Sequence, residues 1–501
     1  MGTQWVYGFY VLIGSVCILY ILAWRKRKMG LPLPPGPPGW PVVGNLFQLG
    51  QRPHEYLSTL SKQYGPLMTL RLGMRTTVVV SSPSMAKEIL RTHDHVFAGR
   101  VVLQGIKMLS HHMSSISFAQ NGPYWRKLRR ISTTELMSRR KLEAFQHVRR
   151  DEVFEMIQSI FQNKGKSLNI GHTVHYTAVN ILGKMIFSTK LLDPNNPDSM
   201  EFLDAAKTWL NLVGTPNLVD YFPFLAFLDP QGLGGKITMC LQRIHHFLDV
   251  LINNRLDSKI KENDAHKDML DVLLESRDDD LTLTDIRAAI FELLTSGIDT
   301  TGSTLEWAVA EVIRNPEIMK RVQAELDEEV GRNRRVEETD IEHLAYLQAV
   351  VKEVLRLHPV APLMLPHRAD SCCDVSGFRI PKHTQVMVNV WAIARDPAGW
   401  KDPCVFSPDR FLRGDNSNVD FKGQDFDFTP FGAGRRICLG LPLVDKLLHY
   451  ILASLLHSFD WALPDGMSRD EIDMADVFGV VLKKRSEMYA IPTPRLSHYL
   501  F

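Results

Sequence analysis

The chain has 501 residues, 45% of them hydrophobic and 23% charged, with 32 glycines and 28 prolines, which excludes a disordered, collagen-like or disulfide-scaffold class. Lys and Arg number 58 against 56 Asp and Glu, so the formal net charge is only +2. The basic residues are scattered among apolar ones instead of forming an arm, which favours a solvated or membrane-facing surface over a nucleic-acid partner.

At this length, one very large domain and two or three packed subdomains both remain possible, and either can enclose a sizeable buried site. The six cysteines form no CxxC pair and no dense framework, which argues against a zinc ribbon and against a secreted disulfide protein. We therefore expect a reducing, cytosol-facing compartment.

The first element is an uncharged run from Trp5 to Trp24. About 20 apolar residues are needed to cross a bilayer core as a helix, so this run is long enough to span. The basic residues Arg25 to Lys28 follow the run instead of preceding it, which is typical of a retained anchor and not of a cleaved signal peptide. We predict that residues 1–28 are a single-pass membrane anchor with a basic stop, and that the bulk of the protein is cytosolic.

A proline-rich stretch, Leu31 to Gly39, follows the anchor. Proline lacks the amide donor and restricts the residue before it, so this stretch cannot be helical and is predicted to be a semi-rigid spacer. A proline-rich interaction motif is the alternative. The predicted division of the chain is therefore anchor 1–28, linker 29–45 and one domain over 46–501.

The body of the chain is predicted to be mainly α with a minor β part, because apolar residues recur at spacings of three and four over most of it. A hairpin is predicted around Gly73 and Met74. The predicted strands are Leu67–Leu72, Thr76–Ser82, Thr384–Val390 and Phe478–Leu482; the predicted helices are Pro83–Thr92, Arg139–Gln162, Lys236–Lys261, Thr284–Asn315, Pro316–Val330 and Tyr346–His358.

The longest periodic stretch runs from Leu281 to Asn315, with Thr284 as the candidate N-cap. Its middle, Ser296 to Thr301, reads SGIDTT, and Gly, Asp and Thr are all poor choices for a helix interior. The threonines can bond back to carbonyls one turn earlier and simply bend the helix. Equally, the stretch can form a widened groove in which an acid and a hydroxyl deliver protons to bound dioxygen.

Near the C-terminus, Phe431 to Gly440 reads FGAGRRICLG and precedes an apolar helical pattern. A thiolate bound to iron needs positive charge and N–H dipoles around it, which a following helix start and glycine-freed amides supply. Arg435 and Arg436 suit the anionic groups of a porphyrin, and Phe431 suits the sulfur side. A lone cysteine is more often a small buried hydrophobe, but the surrounding F-x-x-G-x-R-x-C-x-G pattern makes that alternative weak here.

This run resembles the haem-binding signature of cytochromes P450, with Cys438 as axial iron ligand. Other motifs follow the family's order: SGIDTT resembles its oxygen groove, Glu353 to Arg356 its ExxR, and Phe406 to Phe411 its PERF segment. The resemblance spans about Pro34 to Pro494. It implies the cytochrome P450 fold and haem b (iron protoporphyrin IX) as the cofactor.

The resemblance also assigns roles to single residues. The haem contacts would be Trp125 and Arg129 of a WxxxR helix, His367, Arg436, Phe431 and Gly434. Glu353, Arg356 and Arg410 would form the buried network that holds the cysteine loop, while Thr300 would support oxygen activation and Asp299 would help relay protons. Two departures from the family pattern are Leu439, where plant members usually have proline, and Asp409, where PERF has glutamate.

The implied reaction inserts one atom of O2 into a small hydrophobic substrate. No nucleotide or flavin fingerprint is visible, so the NADPH electrons would arrive through a separate NADPH-cytochrome P450 reductase at the endoplasmic reticulum membrane. Its docking charges would lie on the cysteine side of the domain. The proposed set is Arg126, Lys127, Arg130 and Arg435.

Substrate contacts carried over by the resemblance are mostly apolar, as expected for a pocket that binds by shape. They are Phe118, Phe291, Glu292, Ser296, Val360, Leu363, Met364, Phe478 and Val480, each with core packing as the alternative. The chain resembles plant enzymes of specialised metabolism, which favours a terpenoid substrate. The alternatives are hydroxylation or oxidative coupling of a phenolic, flavonoid or benzylisoquinoline alkaloid, and a membrane haem protein without turnover.

Overall fold

A computed structural model describes residues 31–109, 112–193, 196–257, 267–276, 281–464 and 466–501. The predicted anchor, residues 1–28, lies outside the described residues. Over the described ranges, no helix combines the length and the apolar character that crossing a membrane requires.

The chain is mostly helical, as predicted, with short strands at both ends of the domain. The α-helices are Pro53–Tyr64, Pro83–Lys87, Asp94–Phe97, Gln104–Lys107, Pro123–Ile131, Arg139–Ala144, Gln146–Gln162, Ile170–Phe187, Pro197–Gly214, Leu218–Tyr221, Leu233–Asp257, Met269–Glu275, Leu283–Arg314, Pro316–Glu329, Ala345–Leu357, Val390–Ile393 and Leu441–Ser458. Segments Glu88–Thr92 and Ser132–Leu136 are π-helical.

The strands are Leu67–Leu72, Arg75–Val80, Gly99–Arg100, Leu168–Asn169, His367–Arg368, Cys373–Val375, Phe378–Ile380, Gln385–Val388, Phe459–Ala462, Asp476–Val477, Lys483–Lys484 and Tyr489–Pro494. The largest sheet has five strands, whose spatial order is Leu67–Leu72, Arg75–Val80, Gln385–Val388, His367–Arg368 and Gly99–Arg100. The predicted hairpin is confirmed, with Leu67 opposite Val80 in antiparallel register. Thr77 pairs in parallel with Gln385, so this sheet joins the two ends of the chain.

We call Leu283–Arg314 the long helix. It packs against Ile170–Phe187, Ala345–Leu357 and Leu441–Ser458, and is buried on nearly every side. A helix that is apolar all round belongs in the core of a large protein. The long helix therefore brings its polar middle, residues 296–301, to the centre of the domain.

Four predicted elements differ from the structure. The long helix begins at Leu283, with Thr282 and not Thr284 as its N-cap. The predicted helix Arg139–Gln162 is two helices divided at Phe145, and Pro83–Thr92 changes to a π-helix at Glu88. Phe478–Leu482 is not a strand but the connection between two short strands.

The described part of the proline-rich segment is extended, as predicted, but it is fastened to the sheet. Thr69 donates its amide to the Pro35 carbonyl at 2.8 Å, and Arg379 donates its amide to Pro32 at 2.9 Å. A Cβ at Gly36 would lie 1.8 Å from the Thr69 carbonyl oxygen, so glycine is required at this crossing. The segment therefore runs along the domain and does not hang free between anchor and fold.

Candidate active site

The loop that carries Cys438 is shaped by Gly434 and by a backbone hydrogen bond between its two ends. The Cys438 amide donates to the Phe431 carbonyl at 2.9 Å. Gly434 has a φ of +64°, and a Cβ there would lie 2.0 Å from the Leu90 carbonyl oxygen. Only glycine tolerates both the left-handed backbone and this approach. The loop is thus seated directly on the segment around Leu90.

The Cys438 thiol lies inside the protein, at the start of the helix Leu441–Ser458. Protein atoms surround the residue, yet part of its surface is accessible to a molecule the size of water. The thiol therefore faces an internal space. Burial raises the pKa of the thiol, while the amides of Gly440 and Leu441 and the Arg129 guanidinium act in the opposite direction. Helix N-terminal amides and a nearby cation are the surroundings that a metal-bound thiolate needs.

The Arg436 side chain extends from the same loop to the chain segments around Ala98 and Ile116. Its guanidinium donates to the carbonyls of Ala98 at 2.9 Å, Ile116 at 2.9 Å and Ala119 at 2.5 Å. It also lies 4.0 Å from the ring centroid of Trp125, whose indole N–H donates to the same Ile116 carbonyl at 2.8 Å. The predicted haem contacts Trp125 and Arg436 are therefore neighbours.

Arg100 and Arg129 form a cluster of cations with Arg436, and the imidazole of His367 lies beside them. Burial and the neighbouring Arg436 lower the pKa of Arg100 to about 9, and burial and Arg129 lower that of Arg436 to about 10. Burial, then Arg100 and Arg436, lower the pKa of His367 well below its usual range, and its Nδ1 donates to the Phe97 carbonyl at 2.8 Å. Sequence reasoning missed Arg100, because nothing in its local sequence marks it.

None of Arg100, Arg129 and Arg436 forms an ion pair with a carboxylate over the described ranges of the chain. Buried charges are normally paired, so such a cluster suits an anionic partner brought from outside the chain. A haem offers two carboxylates and an iron that binds thiolate. The donor set therefore fits haem, with Cys438 as the iron ligand and the cations at the carboxylates.

The long helix has one face that is open near its middle. Glu292, Ser296 and Thr300 follow one another at four-residue spacing, and each is at least partly exposed. The Thr300 hydroxyl donates to the Ser296 carbonyl at 2.7 Å, as the purely local interpretation predicts. Thr300 also lies on the open face, so the local hydrogen bond is observed and the groove stays a prediction.

Asp299 is turned away from that face and is only 2% exposed. Its Oδ1 lies 3.6 Å from His175 Nε2, and its Oδ2 forms an ion pair with Lys483. Burial acts to raise the pKa of Asp299, but His175 and Lys483 outweigh it and hold the pKa below its ordinary value. Neither partner was predicted from the sequence.

Glu292 was predicted to face substrate, but the structure gives its carboxylate another task. It accepts from the Ser115 hydroxyl, the Ile116 amide at 2.6 Å and the Ser117 amide at 3.1 Å. Burial raises its pKa in spite of these bonds. Glu292 therefore fastens the 115–117 turn, which carries the carbonyl shared by Trp125 and Arg436.

The other predicted pocket residues divide into two groups. Phe291 is 1% exposed and packs edge-on against Trp209 and His245, so it belongs to the core. Phe478 stacks on His54, in the same apolar cluster as the buried Leu363. Substrate contact stays a prediction for the partly exposed Phe118, Ser296, Val360, Met364 and Val480.

The predicted charged network is present. The Arg356 guanidinium donates to both carboxylate oxygens of Glu353 at 2.7 and 2.8 Å, and Arg410 donates to Glu353 Oε1 at 3.0 Å. Glu353 also accepts the Ser407 amide at 2.8 Å, and Arg356 also donates to three backbone carbonyls. Asp409, the departure from the PERF pattern, pairs with Arg321 at 2.6 Å, outside the network.

Comparisons with known proteins agree with this site. The family model described as Cytochrome P450 matches residues 34–490. The chain is 41% identical over 475 residues to geraniol 8-hydroxylase of Swertia mussotii, covering 94% of each protein. It is 42% identical over 487 residues to (S)-N-methylcoclaurine 3'-hydroxylase isozyme 1 of Papaver somniferum, covering 97% of this chain and 99% of that one. A zebra fish cytochrome P450 solved with progesterone superposes with a TM-score of 0.76 at 28% identity, covering 88% of this chain and 99% of that chain.

Proposed function

Since the chain belongs to the cytochrome P450 family, we propose that this haem-thiolate monooxygenase hydroxylates a small hydrophobic plant metabolite, a terpenoid in the first instance. The observation that carries the chemistry is the pairing of the enclosed Cys438 thiol with a cluster of arginines that form no direct ion pair among the described residues. Bound through Cys438, the haem supplies oxygen activation, with the thiolate donating electron density that favours O–O cleavage.

The chain's own residues supply binding, orientation and protons. Gly440 and Leu441 direct amides at the sulfur, and Arg100, Arg129 and Arg436 neutralise the haem carboxylates. Glu292 and Trp125 hold the turn above them. Thr300, on the open face of the long helix, has a hydroxyl within reach of the groove, and the Asp299 carboxylate next to it in the chain would accept protons and pass them on.

The terpenoid proposal is supported by the similarity to geraniol 8-hydroxylase and by the apolar side chains predicted for the pocket. The alkaloid hydroxylase is just as similar, which favours a benzylisoquinoline or another phenolic substrate as the second candidate. Microsomes containing the chain and a plant-type reductase, given NADPH, should add one oxygen to a monoterpenol or an abietane-type diterpene. A product from flavanones or benzylisoquinolines alone would select the second candidate.

A Cys438→Ser variant is the matched blank for this assay, with Cys404→Ser, an exposed cysteine, as its control. Cys438→Ser should lose both the reduced-CO band of a thiolate-ligated haem and all product, while Cys404→Ser keeps both. A wild-type protein with a normal band but no product from any of the four substrate classes would discard the substrate proposal.

Electrons would come from NADPH-cytochrome P450 reductase, docking on the cysteine side. Arg126 and Arg130 are exposed there on the helix Pro123–Ile131, which supports the proposal. Arg435, also predicted as a docking charge, already pairs with Asp94 at 3.2 Å. Arg130→Glu should raise the reductase concentration needed for half-maximal turnover, whereas Arg140→Glu, on the next helix, should not.

The chain would sit at the endoplasmic reticulum membrane, held by residues 1–28. Support comes from the uncharged Trp5–Trp24 run and from an exposed apolar surface on the domain. We call this surface the apolar face: Trp40, Val42, Phe47, Met74, Phe224, Phe227 and Leu228. Its parts are linked, because the Met74 amide donates to Tyr221 at 3.0 Å, and Phe227 is 82% exposed.

This membrane proposal is tested on protein lacking residues 1–30. That protein should still sediment with lipid vesicles, and Phe224→Asp together with Phe227→Asp should abolish sedimentation. Tyr499→Asp, which removes another exposed aromatic ring, is the control. Equal vesicle binding by all three proteins would contradict a role for the apolar face.

A further inference from the structure

His175 lies between the buried Asp299 carboxylate and the outside of the protein. The side chain of Asp299 is 3% exposed, that of His175 is 19% exposed, and their nearest polar atoms are 3.6 Å apart. His175 is on the helix Ile170–Phe187, which packs along the long helix. A titratable ring therefore connects solvent to an acid at the centre of the domain.

The hydrogen bond on the other side of the ring fixes where its protons can be. His175 Nδ1 lies 2.7 Å from the Gly171 carbonyl oxygen, and a carbonyl only accepts, so Nδ1 carries a hydrogen. In a neutral ring Nε2 would then present its lone pair to the Asp299 carboxylate. Nε2 and Oδ1 lie 3.6 Å apart, and a proton on either atom would remove the repulsion between the two acceptors.

The long helix is shaped to receive this ring. A Cβ at Gly302 would lie 2.4 to 2.5 Å from three atoms of the His175 imidazole. Glycine inside a helix is less favourable than alanine, so its presence has to be offset by a local gain. Here the gain is direct contact between the imidazole and the helix backbone, one turn from Asp299.

Lys483 holds the second oxygen of the same carboxylate. It comes from the short strand Lys483–Lys484, close to the C-terminus, and its side chain is 36% exposed. The ammonium keeps Asp299 turned toward His175 while the carboxylate is charged. Once Asp299 takes up a proton, that attraction is lost and the side chain is free to turn.

Resting on the proposed monooxygenase function, we propose that His175 is a proton-relay residue that reloads Asp299 from solvent, and that Lys483 is the positioning residue that holds Asp299 to receive the proton. In the step, the bond between hydrogen and Nε2 of His175 breaks and a bond to Oδ1 of Asp299 forms. The imidazolium becomes a neutral ring that keeps its hydrogen bond to Gly171, and the carboxylate becomes a neutral acid. After the neutral Asp299 has turned away, a hydronium ion from solvent gives its proton to the bare Nε2 of His175 and is left as water.

Turnover tests the relay with one variant and a matched control. His175→Gln keeps a polar side chain but cannot relay, whereas His172→Gln removes a histidine one turn earlier that forms no ion pair with Asp299. A lost relay should lower product per NADPH by about tenfold, with hydrogen peroxide rising in its place and the solvent isotope effect increasing. The reduced-CO band should be unchanged, and Gly302→Ala should mimic His175→Gln. Wild-type coupling and isotope effect in His175→Gln would overturn the proposal.

A spectroscopic readout is independent of turnover. In the diamagnetic ferrous CO complex labelled with ¹⁵N-histidine, the His175 signals are assigned by their loss in His175→Gln. Asp299→Asn should shift the His175 Nε2 signal toward that of a bare ring nitrogen, because the proton no longer has a charged partner. The same Nε2 signal in wild type and Asp299→Asn would overturn the proposal. Failure of the wild type to oxidise any substrate would contradict the proposed function and leave this result standing.

Discussion

Several guanidinium groups gather beside the cysteine loop, and among the residues described there Arg100, Arg129 and Arg436 form no direct ion pair with a carboxylate. The cost of burying these like charges together is visible in Arg100, whose side chain is buried and whose pKa falls to about 9. Its donors reach only the Ser117 and Leu365 carbonyls. Two haem carboxylates would relieve the repulsion, so a large part of the haem-binding energy should come from this cluster.

We therefore expect Arg100→Met to bind haem more weakly by about 1.5–3 kcal/mol, the value of a hydrogen bond to a charged group. The measurement is the rate of haem loss to an excess of a haem acceptor. Arg91→Met, at an exposed arginine, is the control. Equal haem loss from the two variants would remove Arg100 from the site.

A second residue gives a pH dependence. His457 is buried, its Nε2 donates to the Gly331 carbonyl at 2.7 Å, and burial lowers its pKa. The unfolded chain then binds a proton more readily than the folded one, so the free energy of unfolding decreases as pH falls below about 6.5, by at most about 1.4 kcal/mol per pH unit. His457→Gln should make this slope shallower in denaturant titrations between pH 5 and 7, and His147→Gln, at the surface, should leave it as it is.

The roles of residues that belong to local sequence motifs were predictable. The roles of residues that depend on contacts between distant segments were not. Cys438, Glu353 and Arg356 have fixed local spacings that only a few chemistries require. Arg100, His175 and Lys483 acquire their partners from segments far away in the chain, as the 265-residue separation of Arg100 and Leu365 illustrates. The same limit explains why the role of Glu292 was not predicted, since the 115–117 turn that it binds is far from it in the chain.

At the scale of elements, the Glu353 network joins a helix to two loops. Glu353 and Arg356 are fully buried and joined by two parallel hydrogen bonds, Arg410 closes the network from its partly exposed side, and the Ser407 amide binds the same carboxylate. Removing one partner of such a pair leaves the others charged and unpaired, which costs about 3–5 kcal/mol.

Glu353→Gln should therefore lower the yield of haem-bound protein sharply, measured as the reduced-CO band per milligram, and lower the unfolding temperature. Asp409→Ala is the matched control, because Asp409 lies in the same segment but pairs with the exposed Arg321. A loss in Asp409→Ala as large as that in Glu353→Gln would mean that the whole segment, and not the network, holds the loop.

Helix and strand boundaries show which local signals compete. Thr282 wins over Thr284 as N-cap because its hydroxyl accepts the Asp285 amide at 3.2 Å while Asp285 accepts the Thr282 amide at 2.8 Å. The apolar run at Phe478–Leu482 has the composition of a strand. Its residues instead pack against other segments, Phe478 against His54 and Gly479 against Gly214. Tertiary contact overrides strand propensity there.

In the whole molecule, the apolar interior is divided. One core runs through the helices around the long helix, and another joins the five-stranded sheet to the cysteine loop through Ala433. The prediction of a mainly α fold with a minor β part is confirmed, since helical periodicity is strong enough to be read locally. The pairing of Arg75–Val80 with Gln385–Val388 was not predictable, because parallel register carries no local mark.

This division predicts where haem matters to stability. Removing haem should increase amide hydrogen exchange in residues 97–109, 112–119 and 431–440, where arginine side chains of the cysteine loop donate to carbonyls of the earlier segment. Exchange in Ile170–Phe187, which is packed in the helical core, should change little. Mass-spectrometric exchange on haem-depleted and reconstituted protein measures this, and a uniform increase along the chain would contradict it.

The seat of the cysteine loop on the segment around Leu90 and Ala98 has a consequence for the order of folding. Arg435 and Asp94 are 341 residues apart in the chain, and Arg436 and Ala98 are 338 apart. Contacts of such long range form slowly, since the loop between them has to be closed before they contribute any stability. The nascent chain should therefore complete its helical core first and close the thiol pocket last, which leaves an interval in which haem can enter from the side.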